Sequence, residues 1–125
     1  MRLYIVDDAF VMRAAIGHIA IALGHTIVGE AASLEDALVQ VPDIAIDAIL
    51  VDGRLPPGSP TFVVAAIRGA APDTAVVIIA ALDETTLVAH ARAAGASGAV
   101  LRPVTRSGLE TALASVRIDS AAEST

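Results

Sequence analysis

The stretch that most constrains the fold of this chain is the apolar run of residues 48–51, which ends on the carboxylate of Asp52. A loop rich in glycine and proline, residues 53–58, follows it. An apolar run of this length between Gly and Pro signals is typical of a strand buried on both faces, and such strands belong to parallel sheets covered by helices. Asp52 is therefore predicted at the C-terminal end of a buried strand. In open α/β sheets, sites form at that edge, where the strand order reverses.

A second apolar run, residues 3–6, ends in the same way on Asp7 and Asp8. Parallel strands present their C-terminal ends at one edge of a sheet, so placing these two strands side by side would gather three carboxylates. This acidic cluster is the predicted functional part of the chain.

The rest of the chain alternates short β-branched segments with amphipathic ones. Predicted strands span residues 3–6, 26–30, 48–52, 74–80 and 99–101, and predicted helices span residues 9–23, 33–40, 60–68, 83–95 and 109–116. Ser33, with Asp36 three residues later, resembles a capping box that begins the second helix. The charges of Asp83 and Glu84 favour the start of the fourth helix. Five βα units with short, right-handed connections predict an α/β fold. The favoured form is a flavodoxin-like (βα)5 doubly wound parallel sheet with strand order 2-1-3-4-5, which places the first strand beside the third. Residues 1–118 form one predicted domain, and the small, polar residues 119–125 form a predicted flexible tail.

Composition excludes several classes of function. The net charge of −6 disfavours direct binding to nucleic acid or anionic lipid. The absence of cysteine excludes disulfides, thiolate metal sites and cysteine nucleophiles. No apolar run approaches the ~20 residues of a membrane span. Acids at positions 7 and 8 argue against a signal peptide, so a cytoplasmic location is expected.

Several short motifs occur together in an order and spacing that resemble response-regulator receiver domains, the phosphoacceptor domains of two-component signalling. The motifs are Asp7-Asp8 followed by Arg13, Asp52 followed by Leu55-Pro56, and residues 93–98 leading to Arg102-Pro103. Each motif alone is weak, whereas their combination over nearly the whole chain is specific.

The resemblance implies that Asp52 accepts a phosphoryl group from a histidine kinase or phosphotransfer protein. It also implies a Mg²⁺ site formed by Asp8, Asp52 and the backbone carbonyl of Arg54, with Asp7 acting partly through water. The chemistry agrees, because clustered carboxylates repel one another unless a cation compensates, and Mg²⁺ prefers oxygen ligands. The domain would not be a turnover enzyme. It would act through a protein target on the face formed by the fourth helix, fifth strand and fifth helix, to which Leu87, Val88, Arg92, Val100 and Arg106 would contribute.

Three positions depart from the family pattern. Ala80 stands where the family has Thr or Ser, Arg102 where it has Lys, and Ala99 where an aromatic residue is common, whereas the small Ala81 fits. An arginine supplies positive charge with a longer, planar group than lysine. In the family, the hydroxyl and the aromatic residue move together on phosphorylation, so we expect this domain to respond weakly unless another contact replaces them. In the family, the residues two positions after the phosphoacceptor and two after the hydroxyl position shape the approach of water. Here they are Arg54 and Leu82, and because Leu82 cannot hydrogen-bond a water, the resemblance implies slow hydrolysis of the phosphoryl group.

Three alternatives compete with this interpretation. The first is a pseudo-receiver, a protein-interaction module that works without phosphorylation. In the second, Asp7, Asp8 and Asp52 merely cap a helix and a loop. The third is a phosphohydrolase of the haloacid dehalogenase type, but it requires an acid two positions after the nucleophile of the first strand and a lysine, and this chain has neither. The sequence leaves a weak homodimer open.

Overall fold

The computed structural model describes residues 1–123 and the side chains of residues 1–116. Its strands are β1 (Arg2–Val6), β2 (Thr26–Ala31), β3 (Ala48–Asp52), β4 (Ala75–Ala81) and β5 (Gly98–Arg102). Its helices are α1 (Phe10–Ala22), α2 (Leu34–Gln40) with the short 3-10 turn Val41–Asp43, α3 (Pro60–Ala70), α4 (Thr85–Ala93) and α5 (Arg106–Glu123). Within the described residues, the strands form one parallel sheet in the order β2-β1-β3-β4-β5. The predicted flavodoxin-like fold and strand order are confirmed.

The sheet separates two apolar cores, which explains why β3 is apolar throughout. Ile49 and Val51 point into the core shared with α2, α3 and α4. Leu50 points into the core shared with α1 and α5. Every residue of β3 is buried, because successive side chains of a strand point to opposite faces and both faces are covered.

Side-chain caps set several helix boundaries. Ser33 Oγ accepts a hydrogen bond from the Asp36 backbone N–H at 3.1 Å, as the sequence predicts for the start of α2. Two further caps were not predicted: Ser59 begins α3, and Thr105 Oγ1 accepts from the Gly108 N–H at 3.0 Å. The cap at Thr105 explains why α5 begins three residues before the predicted start.

The last helix, α5, also extends past the predicted end at residue 116. It continues through residues 119–123 of the predicted tail, whereas residues 124–125 lie outside the described part of the chain. The domain boundary at residue 118 stays a prediction. No helix among residues 1–123 has both the length and the apolar character needed to cross a membrane.

The register of the strands places the predicted site. Val6 of β1 lies beside Val51 of β3, so the residues that follow each of them emerge at the same edge of the sheet. On the other side of β3, Asp52 lies beside Ile79 of β4. Ala81 of β4 in turn lies beside Arg102 of β5. The ends of four strands therefore surround one short stretch of this edge.

Candidate functional site

The structure brings together the three predicted carboxylates at this edge. Asp7, Asp8 and Asp52 each offer an oxygen, and these oxygens all lie within 4.8 Å of one another. Asp7 and Asp52 are buried, whereas Asp8 is exposed. Parallel pairing of β1 with β3 is the reason for this convergence, because both strands end at the same level of the sheet.

Each buried acid uses one carboxylate oxygen in a local turn. Asp7 Oδ1 accepts a hydrogen bond from the Ala9 N–H at 2.9 Å. Asp52 Oδ1 accepts from the Arg54 N–H at 2.9 Å. The N-cap of α1 is Ala9, without a side-chain cap, so neither Asp7 nor Asp8 caps the helix as that alternative requires. The loop cap at Asp52 accounts for only one of its two carboxylate oxygens.

The second oxygens of the two buried acids both face Arg102 at the end of β5. Arg102 Nη2 lies 3.1 Å from Asp52 Oδ2 and 3.5 Å from Asp7 Oδ2. The guanidinium thus bridges two carboxylates that would otherwise repel each other. Its side chain is 27% exposed, so it lies at the mouth of the site, where it can also meet a bound anion.

The negative charge of the cluster favours binding of a cation. Burial is the main cause that raises the pKa of Asp7, and the nearby charge of Asp52 raises this pKa further. The Ala9 N–H and the charge of Arg102 lower the same pKa and offset part of this effect. The three carboxylates carry three negative charges and Arg102 carries one positive charge, so two negative charges remain. The ligand atoms that the three acids offer to a metal ion are all carboxylate oxygens. This donor set fits a hard divalent ion such as Mg²⁺.

The predicted basic residue Arg13 supports the site through the backbone of Asp7. Its Nη1 donates to the backbone carbonyl of Asp7 at 2.7 Å, and its Nε pairs with Glu30 at 2.9 Å. Its guanidinium also lies 5.8 Å from the centre of the Phe10 ring. Arg13 therefore holds the turn between β1 and α1 rather than a carboxylate of the cluster.

The positions that depart from the family pattern lie at the ends of β4 and β5. Ala80 is fully buried, and Ala99 is half-buried against the core shared with α3 and α4. Ala81 is partly exposed, and its N–H donates to Glu84 Oε1 at 2.7 Å. Leu82 is 69% exposed. Its effect on hydrolysis stays a prediction, as does the metal contact of the Arg54 carbonyl.

Glu84, which the sequence indicates only as a charge at the start of the fourth helix, also belongs to the site. Its side chain is 6% exposed, and its Oε2 forms an ion pair with Arg54 Nε. The Ala81 N–H, more than the Arg54 charge, lowers the pKa of Glu84. Arg54 and Glu84 are 30 positions apart and on different loops. The only sequence signal for this role is the position of Glu84, four residues after the end of the predicted fourth strand.

One residue of the predicted partner face is placed wrongly by the sequence analysis. Val100 is buried in the core with α1 and α5, so it cannot meet a partner. The alternation of β5 instead exposes Leu101, at 40%. Arg92 and Arg106 are exposed, as the prediction requires, whereas Leu87 and Val88 are half-buried against the core shared with α2, α3 and α4.

Comparisons with known proteins agree with this geometry. The family model described as "Response regulator receiver domain" matches residues 3–114. The chain is 26% identical over 112 residues to the chemotaxis protein CheY of Thermotoga maritima, covering 90% of this chain and 93% of that protein.

Solved structures give the same result. The signal receiver domain of the response regulator NarL from Mycobacterium tuberculosis is 30% identical, with a TM-score of 0.81 over 93% of this chain and 95% of that chain. The chemotaxis response regulator CheY4 of Vibrio cholerae is 22% identical, with a TM-score of 0.78 over 92% and 97% of the two chains. The second likeness shows the fold alone.

Proposed function

The chain belongs to the response-regulator receiver domain family, and from this membership we propose that it accepts a phosphoryl group on Asp52 from a histidine kinase or phosphotransfer protein. The observation that carries the proposal is the convergence of Asp7, Asp8 and Asp52 within 4.8 Å. The adjacent Arg102 guanidinium supplies positive charge beside the acceptor. Receiver domains are signalling domains, and we infer that this one is an acceptor rather than a turnover enzyme.

The transfer follows from the positions of these groups. A carboxylate oxygen of Asp52 attacks the phosphorus of a phosphohistidine in line, and an oxygen–phosphorus bond forms as the phosphorus–nitrogen bond breaks. The departing imidazole keeps the electron pair of the broken bond. Arg102 offsets the negative charge of the transferred phosphoryl oxygens, while the Arg54 N–H holds the Asp52 carboxylate in a fixed orientation. Asp52 is 8% exposed, so the donor must approach through the mouth of the site.

Mg²⁺ is the proposed cofactor. Asp8 and Asp52 would hold it with the Arg54 backbone carbonyl, and Asp7 would act partly through water. When bound, it would offset the negative charge of the carboxylates and of the incoming phosphoryl group. The two negative charges that Arg102 leaves uncompensated support this assignment.

We further propose that output passes through a protein target that binds the surface of α4, β5 and α5. The exposed Arg92, Leu101 and Arg106 would contribute to that surface. The net charge of −6 argues against direct contact with nucleic acid or membrane. A histidine kinase or phosphotransfer protein as phosphoryl donor would place the domain in the cytoplasm. A weak homodimer is compatible with the proposal.

A direct phosphorylation assay tests the proposal. The native chain, incubated with Mg²⁺ and a small phosphodonor such as phosphoramidate, should gain one phosphoryl group by intact mass. Asp52→Asn should gain none. Asp73→Asn is the matched control, because Asp73 is an exposed acid in the turn before β4, at the opposite edge of the sheet. It should behave like the native chain.

The pseudo-receiver is the second candidate. Ala80 supports it, because this fully buried side chain has no hydroxyl to contact a phosphoryl group. A native chain that stays unmodified with both phosphoramidate and a phosphorylated histidine-containing domain would favour the pseudo-receiver.

A further inference from the structure

The carboxylate of Glu84 is held between the two loops that border Asp52. Its Oε1 accepts from the Ala81 N–H at 2.7 Å, and its Oε2 pairs with Arg54 Nε. The Glu84 side chain is 6% exposed, whereas the Arg54 side chain is 69% exposed. A nearly buried carboxylate is therefore kept in place by a backbone donor and by a side chain that solvent can reach.

Arg54 connects this carboxylate directly to the acceptor. Its backbone N–H donates to Asp52 Oδ1 at 2.9 Å, while its guanidinium pairs with Glu84. The same residue thus contacts the predicted phosphorylation site through its backbone and the start of α4 through its side chain.

Glu84 also fixes the first turn of α4. Its carbonyl accepts the hydrogen bond from the Val88 N–H at 3.1 Å, and its own N–H donates to the Ala81 carbonyl at 3.1 Å. Glu84 and Ala81 therefore exchange two hydrogen bonds, one of which depends on the Glu84 carboxylate. Loss of the carboxylate contact would loosen the turn from which α4 begins.

A second contact joins α4 to the acceptor strand. A Cβ atom built on Gly53 would lie 2.6 Å from Leu87 Cδ2, so Leu87 packs directly on the backbone beside Asp52. A displacement of the start of α4 would therefore change the contact between Leu87 and Gly53.

We propose that Arg54 and Glu84 form a latch, the Arg54–Glu84 ion pair, that couples a phosphoryl group on Asp52 to the position of α4. This inference rests on the proposed function. It assigns the coupling role to two positioning residues in a chain that lacks the hydroxyl and the aromatic side chain of the usual route.

Electrostatics give the direction of the effect. A phosphoryl group brings about two negative charges and strong acceptor oxygens to Asp52. Arginine binds phosphoryl oxygens well through paired N–H donors, so the Arg54 guanidinium is drawn away from Glu84. The same negative charge repels the Glu84 carboxylate. Both effects open the latch.

The surroundings permit this movement. A cleft of about 490 Å³ lies against the ion pair, and its lining comprises Arg54, Gly58, Asp83, Glu84, Thr86 and Leu87. A released Glu84 side chain can enter this cleft and reach solvent without displacing core residues.

The test compares amide NMR spectra with and without beryllofluoride and Mg²⁺, a stable mimic of the phosphoryl group. The native chain is compared with Glu84→Gln and Arg54→Met, and with Asp83→Asn as the matched control. Asp83 is an exposed acid next to Glu84, so its substitution removes a neighbouring charge without breaking the latch. The Ala9 amide, which donates to Asp7 Oδ1 beside the acceptor and lies away from α4, reports binding, and the amides of residues 85–88 report the position of α4.

Three results are expected from the latch. Without the mimic, the α4 amides of Glu84→Gln should already lie on the line between the free and bound native positions, because the latch is open. At saturation, their further displacement should fall to roughly one third of the native value or less, since the mimic can shift only a population that remains closed. Asp83→Asn should match the native chain.

The outcomes separate the two proposals. Binding reported at Ala9 together with an undiminished α4 response in both Glu84→Gln and Arg54→Met would overturn the latch alone. No response at Ala9 in the native chain would overturn the proposed function and the latch with it. Glu84→Gln keeps an acceptor for the Ala81 N–H, and if it nevertheless fails to fold, the exposed Arg54→Met decides between these outcomes.

Discussion

The two halves of the site differ in how far they keep the family pattern. The acidic half, Asp7, Asp8 and Asp52, lies at the C-terminal ends of β1 and β3 and brings an oxygen of every expected carboxylate within 4.8 Å of the others. The readout half comprises residues 80–84, at the end of β4 and in the loop after it, together with Arg54 and Ala99. It has no hydroxyl at the buried Ala80, and its Glu84 carboxylate pairs with Arg54 of another loop. Strand pairing fixes the first half, whereas side chains of separate loops make up the second. The residues proposed to accept the phosphoryl group therefore keep the family pattern, whereas the residues that would report its presence depart from it.

Arg102 joins the acidic half by its contacts, although it is itself a departure from the pattern. It lies within 3.5 Å of both Asp7 and Asp52. The longer guanidinium can span two carboxylates at once, which suits charge compensation in the resting domain.

The largest expected effect concerns Mg²⁺ and the acidic half. At a Mg²⁺ concentration 100 times the dissociation constant, the native chain should gain about 2.7 kcal/mol in free energy of unfolding by mass action. Asp8→Asn should gain almost nothing, because it removes an exposed ligand without disturbing the fold. Urea unfolding with and without Mg²⁺ measures the difference, and Asp73→Asn serves as the control. An equal Mg²⁺ effect in Asp8→Asn and the native chain would place the metal elsewhere.

Replacing Arg102 should produce the next largest effect. Arg102→Met leaves the Asp7 and Asp52 carboxylates without their shared partner, and without metal it should lower the free energy of unfolding by about 2 kcal/mol. This loss of stability is smaller than the loss expected on breaking a fully buried ion pair, because the Arg102 side chain is 27% exposed. Mg²⁺ should recover most of the loss. Arg92→Met, on the exposed surface of α4, should change stability by about 0.5 kcal/mol or less. If Arg102→Met and Arg92→Met destabilise the chain equally, Arg102 does not stabilise the acidic half.

Asp7 should give a smaller effect with a definite dependence on pH. Burial raises its pKa in the folded state above the unfolded value. A group with a raised folded pKa contributes stability at low pH that is lost as the pH rises through that folded pKa. Without metal, the native chain should therefore lose stability relative to Asp7→Asn as the pH rises from about 4, near the unfolded pKa of an aspartate.

At neutral pH, Asp7→Asn should be the more stable of the two chains by about 1 kcal/mol, because an amide oxygen still accepts from the Ala9 N–H and no charge is buried. Urea unfolding over this pH range measures the difference. A difference that is constant with pH would contradict the assigned cause.

The sequence predicts the acidic half well because its geometry follows from strand pattern alone. Apolar runs that end on Asp7 and Asp52 locate two strand ends, and the topology places them side by side. The readout half depends on a contact between loops 30 positions apart, and no local pattern pairs Arg54 with Glu84. Val100 is misplaced for a related reason: alternation in a short strand leaves open which set of side chains faces α5.

Helix boundaries show the same limit on a smaller scale. The cap at Ser33 was predicted because Asp36 follows at the right spacing, whereas Thr105 has no such partner and its helix was predicted to start too late. Local signals give the elements, and tertiary contacts decide their ends.

The smallest effect is expected from restoring the usual switch residues in the readout half. A hydrogen bond from a hydroxyl to a charged group is worth about 1.5–3 kcal/mol, and this term alone would predict a large gain in response from Ala80→Thr with Ala99→Tyr. Ala80 is fully buried, however, and added atoms in a packed core cost about 1 kcal/mol or more. With the Arg54–Glu84 latch already coupling Asp52 to α4, the double substitution should change the beryllofluoride-induced displacement of the α4 amides by less than about twofold. The same substitutions in Glu84→Gln provide the control, because there the latch is absent and the restored pair should have the larger effect. A strong gain in the native background would show instead that the missing hydroxyl and aromatic ring limit the switch.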